Sequence, residues 1–409
     1  MWQPLLADAT QAELRSIVLV LAASATAAIV SRLHSRLVLP AVVVEVVLGI
    51  LIGPQVLSIA HPNQELTFLS DVGLSFLFFF AGIEVIEKHV PRTQLQRGSA
   101  GWVISLVVGL VSGYAVHVAG VDVEGWLLGI ALATTALGTL VPILSDAGLL
   151  PTQLGAAVLG TGVAGEFWPI VVISVFLTGV YGAATEVILL FVFGGIVFAA
   201  AGTALRARPP RVLQVLRETV HTTGQAAVRL SVLLLGALVL LARAVGFDYV
   251  LGAFAAGLVV GLALDSPEGH NVQARLEGIG FGFVIPIYFV VTGMVFDLDG
   301  LLTPGGLALG LLFLSLLFVV RGLPALLWLR ELGTRETVSL ALFGATALPL
   351  VVAIVSIGTK RGAISDTVGA ALIGAGMISV LVFPIVGTRI AAGKKAEAEV
   401  PELPPAQEF

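Results

Sequence analysis

The chain has 409 residues, of which 57% are hydrophobic and 11% charged, and its mean hydropathy is +1.05. Soluble domains carry about a quarter charged residues, so this composition excludes a water-soluble globular protein and predicts an all-α, polytopic membrane protein. The absence of cysteine excludes disulfides, thiol catalysis and cysteine metal sites, and because the start MWQPLLADAT has no basic region we expect the first span to be retained.

Apolar runs between polar breaks predict thirteen membrane spans, because about 20 apolar residues cross a bilayer. The predicted spans are 12–33, 37–58, 66–86, 98–119, 124–145, 152–180, 185–205, 226–246, 249–264, 274–296, 301–329, 336–358 and 365–390. Of the 21 Lys and Arg residues, sixteen fall on the same side of the membrane as the C-terminus, Arg321 lies inside a span, and four fall on the other side: Arg15, Arg243, Lys360 and Arg361. The positive-inside rule therefore predicts a protein of the cytoplasmic membrane with its N-terminus outside and its C-terminus in the cytoplasm.

The two halves of the chain resemble each other at a nearly constant offset. GILIG resembles GLVVG at 208 residues, whereas FFFAGIE resembles YFVVTGM, LATTAL resembles FGATAL and VAGEF resembles GAGMI at 211. The last match places Glu166 on Met377. The nearly constant offset predicts two repeats of six spans each, joined by span 7 as a linker. One linker span between two even-numbered repeats inverts the second repeat relative to the first, an arrangement typical of secondary transporters. The alternative is chance similarity among segments rich in glycine and alanine.

Ionisable residues at membrane depth are costly, so each is a functional candidate. Glu166 lies near the middle of span 6, beside Gly165, and a carboxyl there can hold either a proton or a small cation, but not both. The alternative is a carboxyl permanently hydrogen-bonded to stabilise the bundle. Arg321 lies inside span 11 and keeps its charge, so it serves either as a clamp between helices or in transport.

Two further acids lie nearer the membrane surface. Glu84, at the cytoplasmic end of span 3, is four residues from Lys88, which is the spacing of a helical ion pair, so it is either an ion-pair or a site residue. Glu45, in span 2, either extends its side chain towards the cytoplasmic surface or lines an inward cavity.

Two irregular stretches, ATTALGTLVP (133–142) and GATALPLVVA (344–353), occupy matching places in the repeats. Thr, Gly and Pro inside apolar runs predict discontinuous helices whose ends offer backbone groups at the midplane, although a simple proline kink is the alternative. Thr134, Thr135 and Thr346 are therefore candidate neighbours of a cation. The six histidines do not have the spacing of metal ligands, so we expect no metal beyond a transported monovalent cation. We also expect no cofactor, no nucleic acid partner and no enzymatic activity.

Several motifs in order resemble the monovalent cation:proton antiporter superfamily, in particular the branch with Kef-type and bacterial sodium/proton antiporters. LPAVVVEVVLGILIGP resembles its second span, FLFFFAGIE its third, IPIYFVVTGMVFDL the segment after the second-half cytoplasmic loop, and VVRGLPALL the span with its basic residue, here Arg321. The resemblance implies a homodimer in which a mobile core moves like an elevator against a scaffold, with spans 5 and 12 unwound at the ion site. It also assigns the ion-binding carboxylate to Glu166.

The implied division has six parts. They are scaffold helices (1–97), core helices (98–180), a linker helix (181–210), scaffold helices (211–297), core helices (298–391) and a disordered cytoplasmic tail (392–409).

One departure from the family concerns the charge of the site. Many members carry a second polar or acidic residue before the carboxylate, whereas this chain has Gly165, so Arg321 needs another partner, either Glu166 or the backbone. A single titratable site predicts electroneutral exchange of Na⁺, K⁺ or Li⁺ for H⁺. The alternatives are a proton-coupled organic anion carrier, with Arg321 binding the anion and Glu166 the proton, and a membrane sensor that transports nothing.

Overall fold

The computed structural model describes residues 3–33, 40–87, 90–176, 225–264 and 267–398, with isolated positions between 192 and 202. These residues are helical apart from turns and one isolated bridge between Val123 and Ile364. The helices of the first half are α1 (Gln3–Leu33), α2 (Ala41–Ile52), α3 (Gln64–Glu87), α4 (Arg92–Val118), α5 (Gly125–Leu132), α6 (Leu137–Asp146) and α7 (Gln153–Phe176).

The second half has the same kind of elements. Its helices are α8 (Ala226–Ala244), α9 (Tyr249–Leu264), α10 (Pro267–Ile279), α11 (Ile285–Met294), α12 (Leu298–Leu301), α13 (Pro304–Gly322), α14 (Leu329–Gly344), α15 (Pro349–Lys360) and α16 (Asp366–Ala398). A π-helical segment (Gly280–Val284) joins α10 to α11, and a 3₁₀ segment (Leu323–Trp328) joins α13 to α14.

The prediction of an all-α membrane fold is confirmed. Within the described ranges, nine helical segments are long and apolar enough to cross a membrane, and one of them, Pro304–Lys360, has 57 residues, which suffices for two crossings. The count of thirteen spans stays a prediction, because the predicted span 185–205 lies outside the described residues. Helix α16 continues to Ala398, into the segment for which we predicted disorder.

The internal repeat has a counterpart in the packing of four glycines. A Cβ atom at Gly49 on α2 would lie 2.1 Å from the Val290 carbonyl of α11, next to Gly293, and a Cβ at Gly82 on α3 would lie 2.3 Å from a carbonyl of α9, next to Gly257. Only glycine allows such close backbone approach. The repeat relates Gly49 to Gly257 and Gly82 to Gly293, so each glycine packs against the counterpart of the other. Reciprocal contacts of this kind are expected when a twofold axis relates the halves.

The helices form two packing groups. In the first, α1, α2, α3, α8, α9, α10 and α11 contact one another; in the second, α4 to α7 pack with α12 to α16. The groups meet where α7 packs against α3 and α9. The candidate site lies at this boundary.

Candidate ion-binding site

Two helices are interrupted inside the second packing group. Helix α5 ends at Leu132 and α6 begins at Leu137, whereas α14 ends at Gly344 and α15 begins at Pro349. The prediction of discontinuous helices is therefore correct at both stretches. Each break exposes the last carbonyls of one half-helix and the first N–H groups of the next, which carry partial negative and positive charge.

The two breaks contact each other and α7. The Ala136 N–H donates to the Thr346 carbonyl at 2.8 Å, and the Thr135 N–H donates to the Gly165 carbonyl at 3.1 Å. The Thr135 hydroxyl donates to the Gly344 carbonyl at 2.6 Å. Thr135 thus joins the first break to α7 and to the end of α14.

Glu166, on α7, caps the N-terminus of α6. Its Oε1 atom accepts hydrogen bonds from the Leu137 N–H at 2.7 Å and the Gly138 N–H at 3.3 Å. Amide donors and the positive end of a helix stabilise an ionised carboxylate, which explains how a charge is tolerated at this depth. The side chain is half-buried, so the carboxylate is also accessible from the cavity described below.

Arg321, on α13, is 1% exposed and hydrogen-bonded to neutral oxygen atoms. Its Nε donates to Thr135 Oγ1 at 2.9 Å and to the Gly344 carbonyl at 3.3 Å, Nη1 donates to Ser105 Oγ at 3.0 Å, and Nη2 donates to the Thr161 carbonyl at 3.1 Å. Within the described ranges, none of these bonds goes to a carboxylate. Of the two partners that we considered for the guanidinium, the structure shows the backbone, together with two hydroxyls. The positive charge lies at the negative end of α14.

Gly165 provides the space for this arrangement. A Cβ atom at this position would lie 2.7 Å from Arg321 Nη2 and 2.7 Å from Thr135 Oγ1. The sequence indicates only that a second acidic residue is missing before Glu166. The structure adds that the guanidinium and the Thr135 side chain occupy the volume that a larger residue at position 165 would need.

The other two candidate threonines hydrogen-bond within their own helical turns. The Thr134 hydroxyl donates to the Ala131 carbonyl at 2.8 Å, and the Thr346 hydroxyl donates to the Leu342 carbonyl at 3.1 Å. Both side chains are buried. Of the three threonines, Thr135 is the one that lines the cavity at Glu166.

A cavity of about 270 Å³ lies between the two packing groups and brings three predicted acids together. Glu166 lines it from the second group, and Glu45 and Glu84 line it from α2 and α3 of the first group. Glu84 Oε1 lies 3.4 Å from the position of a Cβ atom at Gly138, so it is close to the start of α6. The predicted Glu84–Lys88 ion pair lies outside the described residues, because Lys88 is not among them.

Three residues that support the site by hydrogen bonds were not predicted from the sequence. Ser105 accepts from Arg321, the Trp102 indole donates to the Ala133 carbonyl at 3.1 Å, and Ser379 Oγ accepts from the Ala347 N–H at 3.1 Å. Each satisfies a helix end or a buried charge from another helix. A polar side chain inside an apolar run is the signal that points to Ser105 and Ser379, but many such side chains only bond their own helix.

Two ion pairs connect the packing groups at the far end of α15. Lys360 Nζ lies 2.9 Å from Asp71 Oδ1 on α3, and Arg361 Nη2 lies 3.1 Å from Asp248 Oδ2, just before α9. In the orientation predicted from the basic residues, Lys360 and Arg361 lie on the outer side and the end of α3 at Glu84 lies on the cytoplasmic side. By this prediction, the ion pairs and the cavity are on opposite sides of the site.

Comparisons with known proteins agree with this architecture. The family described as "Sodium/hydrogen exchanger, transmembrane" matches residues 20–393. The structure of the sodium proton antiporter MjNhaP1 from Methanocaldococcus jannaschii aligns with a TM-score of 0.66 at 18% identity, covering 94% of this chain and 98% of that one.

Curated relatives cover the chain to different extents. "Probable Na(+)/H(+) antiporter 3" of M. jannaschii is 25% identical over 90% of this chain and 94% of its own length, and "Na(+)/H(+)-K(+) antiporter GerN" of Bacillus cereus is 27% identical over 66% and 68%. YjbQ of Bacillus subtilis is 27% identical over 86% of this chain, which spans 59% of that relative.

Proposed function

The chain belongs to the transmembrane sodium/hydrogen exchanger family, within the monovalent cation:proton antiporters, and we propose that it exchanges a monovalent cation for H⁺ at Glu166. It is a multi-pass membrane transporter, not an enzyme. The observation that carries the proposal is the half-buried carboxylate at the N-terminus of a half-helix, on the wall of a cavity between two helix groups.

Glu166 can be neutralised in two ways that exclude each other. A proton on the carboxyl removes the negative charge that binds a cation, and a bound cation opposes protonation. Because the carboxylate is within membrane depth, movement across the bilayer is easier when one of the two ligands neutralises it. A carboxylate that crosses only when loaded couples inward movement of one ligand to outward movement of the other.

Arg321 supports a one-for-one exchange. Its charge is permanent, and its donors are engaged by hydroxyl and carbonyl oxygens instead of by a second titratable acid. It therefore neither releases nor binds a charge during the cycle. We expect electroneutral transport, so proteoliposomes under an imposed cation gradient should show proton flux without current. A current whose sign follows the gradient would contradict this stoichiometry.

An elevator movement is supported by the division into two packing groups. We assign the first group as scaffold and the second as core, with the family's homodimer formed through the scaffold. The 270 Å³ cavity separates scaffold and core on one side of Glu166, whereas the Lys360–Asp71 and Arg361–Asp248 pairs hold them together on the other. With the predicted orientation, this is an inward-facing arrangement.

The organic anion carrier is less compatible with these contacts. That function needs the guanidinium of Arg321 at the substrate site, but Arg321 is buried, hydrogen-bonded through all three of its nitrogens to protein oxygens, and does not line the cavity. No observation in the described residues favours the sensor over a transporter.

The decisive experiment is proton flux in proteoliposomes after pulses of Na⁺, K⁺ and Li⁺, with wild type, Glu166→Gln and a matched control. Glu65→Gln makes the same chemical change at an exposed acid near the start of α3. We expect exchange in wild type and in the control, and a loss of at least about 100-fold in Glu166→Gln with an unchanged elution profile. Cation-driven proton flux that survives in Glu166→Gln would exclude the assigned role.

A further inference from the structure

We propose that Glu45 is a second cation-binding carboxyl of the cavity, which is fixed on the scaffold and receives the cation before it reaches Glu166. The proposal rests on the proposed function and deepens it, because it assigns the step at which a cation first leaves water. Glu45 is on α2, and Glu166 faces the same cavity from α7.

The first observation is that Glu45 is buried without a partner among the described residues. The residue is 5% exposed, yet its carboxyl forms no hydrogen bond or ion pair with any residue that the structure describes. Buried carboxylates are normally paired, because an unpaired one is strongly destabilising. Glu45 lines the cavity. Such an arrangement is expected of a group whose partner is a ligand and not another side chain.

The second observation concerns another part of the cavity wall, where the backbone is irregular. The π-helical segment ends with the Ile285 N–H donating to the Gly280 carbonyl. The next residue, Pro286, has no N–H, so it cannot donate the following bond of this ladder to the Phe281 carbonyl. Phe281 and Pro286 line the same cavity as Glu45. Glu45 therefore shares the cavity with an interrupted backbone ladder, and carboxylate and backbone carbonyl oxygens are the ligands that a dehydrating monovalent cation needs.

The third observation is the charge of the cavity. Glu45, Glu84 and Glu166 line it, and no Lys, Arg or His does so within the described ranges. Repulsion between carboxylates in one small cavity favours the uptake of a cation, and a pocket of one sign concentrates counter-ions.

The location of Glu45 decides its role. Because it lies on the scaffold, it does not move with the core and cannot carry a cation across the membrane. It can only raise the occupancy of the site from the cavity side. The proposal therefore predicts an effect on the cation KM and little effect on the maximal rate, a division that a purely structural residue would not produce.

The test compares Glu45→Gln, Glu45→Asp and Glu65→Gln with wild type in proteoliposomes, with Na⁺, K⁺ and Li⁺ as probes. Side-specific labelling determines the orientation of the inserted protein. We expect Glu45→Gln to raise the KM for the transported cation about fivefold or more from the cavity side, with a maximal rate within about twofold of wild type. Glu45→Asp, which keeps the charge, should restore part of the affinity, and Glu65→Gln should behave like wild type.

Thermal unfolding in detergent separates function from folding. Loss of an unpaired buried carboxylate should leave the Tm of Glu45→Gln equal to that of wild type or higher. An unchanged KM in Glu45→Gln, or a lower rate at unchanged KM, would overturn the proposal while leaving the antiporter function intact. An inactive wild type would overturn the proposed function and this proposal together.

Discussion

The two interrupted helices have similar backbones but opposite chemistry. At the first break, the N-terminus of α6 receives the carboxylate of Glu166. At the second break, the residue at the position of Glu166 is Met377, and the nearby Ala347 N–H is satisfied by the neutral hydroxyl of Ser379. By the predicted repeat, the two crossing helices correspond, but a titratable group lies at the N-terminus of α6 and not at that of α15. We propose that the first end binds the ion and that the second is structural.

At the C-terminal ends of α5 and α14, the charged partner is found at the second break and the neutral partner at the first. The last turn of α5 is closed at Ala133 by the neutral indole of Trp102, whereas the matching carbonyl of α14, at Gly344, receives the guanidinium of Arg321. A negative charge at the positive end of one half-helix and a positive charge at the negative end of the other are both favourable. The comparison teaches that an inverted repeat can divide two opposite charges between its halves.

Removal of Arg321 should have the largest effect. Arg321→Ala removes the donor to Ser105, to Thr135 and to the Thr161 carbonyl, all of them buried, which costs about 3–5 kcal/mol of unfolding free energy and abolishes exchange. Trp102→Phe, which removes the neutral donor at the first break, should cost only about 1 kcal/mol. Thermal melts in detergent and proton flux measure both. Equal destabilisation by the two variants would show that the charge at the second break is not special.

A methyl group at Gly165 should have the next largest effect. In Gly165→Ala, the new atom would lie 2.7 Å from both Arg321 Nη2 and Thr135 Oγ1, so the network beside Glu166 must shift. We expect exchange to fall about tenfold or more, because small misplacements at a site have large effects on rate. The control is Gly374→Ala on α16, where the methyl group finds ordinary contacts of 3.5 Å or more. Normal flux in Gly165→Ala would show that the tight fit is unimportant.

The ion pairs at the end of α15 should have a smaller effect. They extend the contrast between the breaks, because α15 ends in two bases that contact the scaffold, whereas α6 ends at Asp146. Replacing both Lys360 and Arg361 with Gln should change the exchange rate about two- to fivefold at low salt and less at high salt, since both basic side chains are exposed and salt screens their attraction to the acids. The salt dependence of flux measures this. A salt-independent change would indicate that the bases act in some other way.

Ser379→Ala should have the smallest effect on transport. It removes the acceptor for the Ala347 N–H and the donor to the Gly376 carbonyl, so we expect a loss of about 1–3 kcal/mol in stability but exchange within about twofold of wild type. Ser315→Ala, on an exposed face of α13, is the control and should change neither. Loss of transport in Ser379→Ala with retained stability would make the second break part of the ion site.

The sequence by itself determined which charged residues lie inside the predicted spans, and it predicted that the two halves of the chain are related by a repeat. Hydropathy is a local property, so the spans, the depth of Glu166 and Arg321 and the two irregular stretches follow from the order of residues. The matched glycines and threonines predict the repeat for the same reason, because they recur at one offset. These predictions needed no knowledge of which helices pack together.

Only the tertiary structure decided what each charge contacts. Arg321 bonds to Ser105, 216 residues away, and to Thr135, 186 residues away. Glu45 is buried, without a partner among the described residues, beside a cavity whose walls come from several helices. Hydrogen bonds depend on distances of about 3 Å and on direction, which local sequence does not specify for residues on different helices. The sequence therefore indicates that Arg321 needs a partner, and packing determines that the partner is a set of neutral oxygens at the end of a broken helix.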